Sequence, residues 1–385
     1  MRTVLTAKWL WDGFGLLEDP LVQIEDGRIA SISTRASGEL PVKGRALNFP
    51  GATLAPAFFD VHFHGAKGHD VMEATPEALN TIGRFLATRG TGSFLATTVT
   101  APLDTTLRSL EGLAKLVAEA PVEGQAQAIG IHLEGPFLSH SKRGVHPPAY
   151  LLEPDIPTFD RFLEAATGHI RLMTLAPELP GAVELAAYAT SRGVRISLGH
   201  SNATAAQTFA AIEAGAVSAT HTFNAMRPLD HREPGILGTV LTHDSLFAEL
   251  ISDGVHTAAD IVKLWWRAKG PERAILMTDA MSATGMPDGE YYLGGFAFQV
   301  ADGRAMAGCV LAGSVLTQDR ALANFIQFTA AELHQALRLL TVNPATMAGL
   351  GDQAGSLAVG RPASLVAVDP AGNLLGSVIN GLPVL

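Results

Sequence analysis

The chain has 385 residues, 47% of them hydrophobic and 17% charged, with a formal net charge of −10. That length exceeds the ~250 residues of a typical single barrel, so one large domain with a smaller companion is expected. The acidic balance excludes non-specific binding to nucleic acid or anionic membranes, which needs a basic surface, and a lone cysteine, Cys309, excludes an intrachain disulfide and fits a reducing compartment.

Residues 2–50 read as short strands joined by tight turns: Val4–Trp11, Leu21–Ile24 and Arg28–Ser33, with Glu25-Asp26-Gly27 as a hairpin turn. The opening residues show no secretory signal, and no apolar run approaches the ~20 residues that span a bilayer, so the expectation is a cytoplasmic protein. From residue 51 onward the text alternates. Apolar runs at Ala52–Val61, Ser93–Thr100, Ala126–Leu133, Arg171–Ala176, Val194–Leu198, Val217–His221, Phe247–Ser252 and Ala274–Thr278 read as strands. Helical patterns at Pro76–Thr88, Asp104–Glu119, Asp155–Ala166, Ala182–Ser191, Ala203–Ala214 and Ala258–Ala268 separate most of them, with Thr257 as an N-cap and Thr317–Thr329 as a further helix. Eight strands alternating with helices predict an α/β fold, a (β/α)8 barrel of the TIM type. A doubly wound sheet would want a Gly-rich loop after its first strand, and Asp60–Gly65 is not one. Strands return at Ser364–Val368 and Leu374–Ile379, so the two ends are expected to pair. The predicted division is a small β-sandwich domain from residues 1–50 and 355–385, with the barrel over 51–354.

In such a barrel chemistry sits at the C-terminal ends of the strands. Strand one ends in His62-Phe63-His64, where alternation puts both imidazoles on one face. Strand three ends in His132-Leu133-Glu134, strands five and six in His200 and His221, and strand eight in Thr278-Asp279. Five strand ends therefore aim His, Glu or Asp at a common point, as a metal site with nitrogen and oxygen ligands requires. The stretch Thr220–Gly235 adds Asn224, Arg227, Arg232 and Glu233 directly after a buried strand, a dense run of hydrogen-bonding groups that suits a ligand.

These residues resemble the metal-dependent amidohydrolase superfamily. The wording of His132–Phe137, Lys142–His146, Gly199-His200-Ser201, Thr220–Gly235, Asp253–His256, Thr278–Gly285 and Leu311–Ser314 is similar, in the expected order, to that of the N-acetylglucosamine-6-phosphate deacetylases. The resemblance implies that Glu134, His200 and His221 hold the main divalent metal, zinc or ferrous iron, and that His62 and His64 form or complete a second position. It implies Asp279 as general base and then acid, and His146 as a donor to the carbonyl oxygen. A sugar-phosphate pocket would comprise Val145, His146, Asn224, Ala225, Arg232, His256 and the segment Leu311, Ala312, Gly313. It further implies a homodimer whose neighbouring subunit reaches the phosphate. Arg227 is read as a surface ion-pair residue facing Asp230, and His231 as facing solvent. No lysine stands at the bridging position many relatives use, and Ala363-Ser364-Leu365 replaces their usual Ala-Asp-Leu. Three alternatives remain at this stage: another N-acyl sugar phosphate such as N-acetylgalactosamine 6-phosphate, a cyclic amide, and a catalytically silent sugar-phosphate binder.

Overall fold

The computed structural model describes residues 2–37 and 44–384. Its centre is an eight-stranded, all-parallel sheet in sequential order: Phe58–Phe63, Thr91–Thr98, Gln127–Glu134, Ile170–Leu175, Arg195–Leu198, Ala216–Ala219, Phe247–Leu250 and Ala274–Leu276. Between the first and last strands the ladder is irregular. The Asp279 N–H donates to the His62 carbonyl at 3.0 Å, Phe63 bridges Ala280, and the Thr278 hydroxyl donates to Asp60 at 2.6 Å. The sheet thus curls into a nearly closed barrel.

Helix starts follow local chemistry. Thr75 and Asp155 each accept a backbone N–H in the first turn, ahead of Pro76 and Pro157, and Thr204 forms a capping box with Gln207. Thr257 is displaced from its expected role: the helix is Ala259–Arg273 and its N-cap is Ala258. The helix Gly235–Thr242, between strands six and seven, was not expected. Its residues are buried almost all round, so no amphipathic period marks it. No helix among the described residues is long and apolar enough to cross a membrane.

The chain ends share a second eight-stranded sheet. Its path runs Leu382–Pro383, Leu374–Ile379, Leu365–Val368, Arg45–Pro56, Arg2–Trp11, Pro20–Glu25 and Arg28–Thr34, with Leu16–Glu18 pairing off Arg2–Trp11. Asp26 and Gly27 both have positive φ, the geometry of a two-residue hairpin closing Glu25 against Arg28. The apolar run Ala52–Val61, read as one barrel strand, is split. Arg45–Pro56 belongs to the terminal sheet and Phe58–Phe63 to the barrel, with Ala57 turning between them. A continuous apolar run carries no mark of where a chain changes sheet.

A third sheet, Gly289–Leu293, Phe296–Ala301, Arg304–Ala307 and Val310–Leu311, is an antiparallel meander after the last barrel strand. Gly294-Gly295 and Asp302-Gly303 supply the positive φ values of its two tight turns. Leu293, Phe298, Val300, Ala305 and Ala312 pack with Val99, Met281 and Ala283, fastening this sheet over the barrel mouth.

Candidate metal centre and active site

Two groups of donors meet at that mouth: His62, His64 and Asp279, and Glu134, His200 and His221, with the donor atoms of each group within 4.8 Å of one another. Glu134 joins them. Its Oε1 lies 3.2 Å from His221 Nε2 and 3.3 Å from both His200 and His62 Nε2, while its Oε2 lies 3.3 Å from His64 Nε2. His200 and His221 bring their Nε2 atoms to 3.0 Å, His62 and His64 to 3.1 Å, and Asp279 Oδ1 sits 3.2 Å from His64 Nε2. Donors around a tetrahedral ion with bonds of about 2.0–2.1 Å stand roughly 3.3 Å apart, so the spacing fits a divalent cation.

The ring orientations make the same point. His64 Nδ1 faces the Thr97 carbonyl at 2.9 Å and His200 Nδ1 the Lys142 carbonyl at 2.9 Å. A carbonyl only accepts, so each Nδ1 carries the proton and each Nε2 turns its lone pair to the centre. The field of the cluster favours positive charge. Burial opposes charge on His62, but Glu134 and Asp279 outweigh it and hold the ring well above the usual histidine range. Burial also opposes charge on Glu134, yet His62 with hydrogen bonds from His146, His200 and His221 keeps the carboxyl well below its usual range.

His146 is built the other way round. The Thr100 backbone N–H donates to its Nδ1 at 3.3 Å and the Thr100 hydroxyl, 2.8 Å from the same atom, can donate as well; with Nδ1 accepting, the proton is on Nε2, 3.6 Å from Glu134 Oε2. Burial holds this ring below the usual histidine range. In that tautomer the ring presents an N–H, not a lone pair, to the centre.

Local backbone supports the cluster. His200, His221 and Asp279 all have positive φ at their strand ends, a conformation that turns the side chain into the mouth. Gly313 passes close behind Asp279: a Cβ there would lie 3.0 Å from the Asp279 carbonyl oxygen, and its φ is +66°.

The cluster opens into a cavity of about 280 Å³, near the lower end of the range for small-ligand sites. Asp279, His64, Glu134, His146, His200 and His221 form its floor; Val145, Asn224, Ala225, His256, Leu311 and Gly313 form its walls. Asn224 Nδ2 is buried there without a protein partner. His256 is fixed by Asp253, whose Oδ2 lies 2.7 Å from its Nδ1; burial opposes its charge, but Asp253 prevails and raises the ring above the usual range.

A sequence model of the amidohydrolase family matches residues 53–384. The chain belongs to the amidohydrolase family. That family is metal-dependent, in keeping with the two donor groups. This amidohydrolase is 38% identical to the N-acetylgalactosamine-6-phosphate deacetylase of Escherichia coli O157:H7, covering 96% of each chain. It is 37% identical to the N-acetylglucosamine-6-phosphate deacetylase of Lysinibacillus sphaericus, over 90% of this chain and 89% of the relative. Among solved structures, a variant of N-acetyl-D-glucosamine-6-phosphate deacetylase from Mycobacterium smegmatis, in complex with N-acetyl-D-glucosamine-6-phosphate, superposes with a TM-score of 0.92. Its identity is 35%, with coverage of 100% of this chain and 99% of that one.

Two residues that the resemblance assigned to a sugar-phosphate pocket do not line this amidohydrolase's cavity. Arg232 is exposed on the loop after strand six, its N–H held by Asp230 Oδ1 at 2.8 Å, and does not line its own chain's cavity. Ala312 is fully buried in the core beneath the meander, and its N–H is already taken by the Ala305 carbonyl at 3.0 Å. No ion pair joins Arg227 to Asp230 among the described residues, although Arg227 helps lower the Asp230 carboxyl after the hydrogen bonds from Arg232 and Glu233. His231 is exposed. Lys142, from the motif Lys142–His146, also lines the cavity, as do three residues the sequence did not single out, Leu293, Phe296 and Val310. The last three come from the meander, which Gly294-Gly295 and Asp302-Gly303 between alternating residues would have revealed.

Proposed function

We propose that this amidohydrolase removes the acetyl group of N-acetylglucosamine 6-phosphate, yielding glucosamine 6-phosphate and acetate. The observation that carries the reading is one cavity in which a metal donor cluster, the Asp279 carboxylate and the Nε2–H of His146 converge. Relatives of nearly full length bearing the names of such deacetylases support it. Imidazole and carboxylate donors suit zinc, with ferrous iron the alternative, as one or two ions per chain.

When bound, such an ion lowers the pKa of a coordinated water toward ~7 and polarises a carbonyl. Glu134, His200 and His221 would hold the main ion, and His62 and His64 would form or complete the second position. Asp279, kept ionised by His62 and His64 against the effect of burial, accepts the proton of the attacking water. As the C–N bond breaks, it passes that proton to the departing amine, which leaves poorly without it. His146 donates from Nε2 to the carbonyl oxygen as negative charge develops there. Asn224 offers an unpaired N–H, and His256 a ring whose charge Asp253 favours, to the phosphate.

Arg232 enters through assembly. We infer a homodimer in which the loop of one subunit brings Arg232 to the other subunit's cavity; its exposure outside its own cavity supports this. The single cysteine, exposed and free, suits a cytoplasmic location. A second reading, N-acetylgalactosamine 6-phosphate, is favoured by the name of the 38% identical relative. The two sugars differ in the orientation of one hydroxyl.

The test is acetate release from both sugar phosphates and from unphosphorylated N-acetylglucosamine, with metal counted on the same preparation. Turnover of N-acetylglucosamine 6-phosphate well above the other two is expected. Preference for the galacto isomer would move the assignment to the second reading, and no turnover with metal fully bound would overturn deacetylation of these sugars. In the same assay Arg232→Ala should raise KM for the phosphorylated substrate; an equal loss toward the unphosphorylated sugar would refute its phosphate role.

A further inference from the structure

Below the metal donors the barrel interior contains a buried carboxylate that the chemistry above does not use. Glu249, on strand seven, is fully buried. Its Oε1 accepts the hydroxyls of Ser197 at 3.1 Å and Ser218 at 2.9 Å, which fix the side chain from two neighbouring strands. Its Oε2 has no hydrogen-bond partner. Facing it at 3.9 Å is His62 Nδ1, also buried and also without a partner.

Two complementary orphans face to face are unusual, because a buried unpaired polar atom costs about 1–3 kcal/mol. Two other neighbours of His62, His132 and Asp60, are committed elsewhere, while His221, whose Nδ1 is also buried without a partner, meets His62 at 5.6 Å between ring centroids. His132 meets it edge-on at 4.7 Å between ring centroids, but bonds through Nε2 to Thr174 at 2.8 Å. Asp60 takes the Thr278 hydroxyl and backbone N–H groups. His64 and His200 have backbone carbonyls behind their rings; His62 has Glu249. At 3.9 Å the pair stands about 1 Å beyond a hydrogen bond, so the assignment requires the two groups to approach.

We propose that Glu249 is the positioning residue for His62. Its Oε2 accepts the His62 Nδ1–H, fixing the tautomer and ring plane so that the Nε2 lone pair stays aimed at the metal. Carboxylates placed behind metal-bound imidazoles act in this way, and their loss typically weakens metal binding 10–100-fold. The proposal rests on the metal centre and not on which acylated sugar is the substrate, so it can fail while the assigned reaction stands.

The experiment is zinc binding by Glu249→Gln, measured by chelator competition beside wild type and His62→Ala. Glutamine keeps the shape but turns an N–H toward Nδ1 in place of an acceptor, or leaves Nδ1 facing an uncharged oxygen. The expected result is about 10–100-fold weaker zinc binding at the step that His62→Ala also weakens. A lower melting temperature with unchanged zinc affinity would mean a structural role only and overturn the proposal, as would no effect of His62→Ala on zinc. Should Glu249→Gln not fold, ¹⁵N-histidine NMR of the zinc-loaded wild type decides. An exchange-protected Nδ1–H on His62 is expected; a His62 Nδ1 without a bound proton overturns the assignment.

Discussion

At the barrel mouth six ionisable side chains crowd onto one point, whereas in the terminal sheet the buried Leu5, Leu10, Val22, Leu54 and Leu365 crowd together as hydrocarbon alone. Both regions are largely withdrawn from bulk solvent, with opposite consequences. Each buried aliphatic side chain contributes roughly 1.5–3 kcal/mol to the sheet. Buried charges at the mouth cost free energy unless paired or bound to an ion, and positive φ at His200, His221 and Asp279 adds about 1–3 kcal/mol each. Stability made in one region is thus spent on holding chemistry in the other, and substitutions in the two should separate cleanly.

The largest expected effect is at the mouth. Asp279→Asn removes the proposed proton acceptor while preserving shape, and kcat should fall about 10²–10⁴-fold with metal content and substrate binding largely retained. A near-normal kcat would break the general-base assignment. The counterpart in the sheet is Leu54→Ala, which empties a fully buried position and should cost about 2–5 kcal/mol in unfolding free energy. Metal content per folded chain should not change; if it does, the two regions are coupled more tightly than their separate cores imply. Next comes His256→Ala, which removes an imidazole that lines the cavity. It should raise KM for the phosphorylated sugar about tenfold, the scale of one lost charged hydrogen bond, with a much smaller effect on the unphosphorylated sugar. Equal effects on both would place His256 outside phosphate recognition.

The smallest effect concerns a cation held by neither kind of packing. Lys269 Nζ donates to the Val240 and His243 carbonyls at 2.8 Å, capping the short helix that follows the Arg232 loop. Desolvation, only partly opposed by Asp244, brings its pKa down to about 8, against about 10.4 in an unfolded chain. Between these values the unfolded chain binds more protons, so this group makes unfolding free energy rise as pH increases from about 8 to 10.4 and fall again as pH is lowered. Denaturant titrations across that window should show a shallower rise in Lys269→Met than in wild type. An unchanged slope would show that Lys269 titrates as an exposed lysine.

Much of this site was legible in the sequence, because strand ends are marked. His62, His64, Glu134, His200, His221 and Asp279 each close an apolar run, and a barrel brings the ends of its strands together. What stayed hidden has a common cause. Glu249 lies inside an apolar strand, and only its placement between Ser197, Ser218 and His62 reveals a task. Arg232 shares a loop with Asn224, yet the loop leaves it on the surface.

The sequence by itself determined the alternation of strands and helices, the pairing of the two chain ends and the residues that cluster as candidate metal donors. Each is a local pattern of residue type and spacing. Only the tertiary structure decided where the run Ala52–Val61 changes sheet, that the meander Gly289–Leu311 roofs the cavity, and that Ala312 is core. It also decided which histidines turn Nε2 to the centre as a lone pair and which as an N–H, through the carbonyls of Thr97 and Lys142 and the N–H of Thr100. Those partners lie 33, 58 and 46 residues away along the chain. No local period can encode a contact at that distance; it exists only once the barrel has closed.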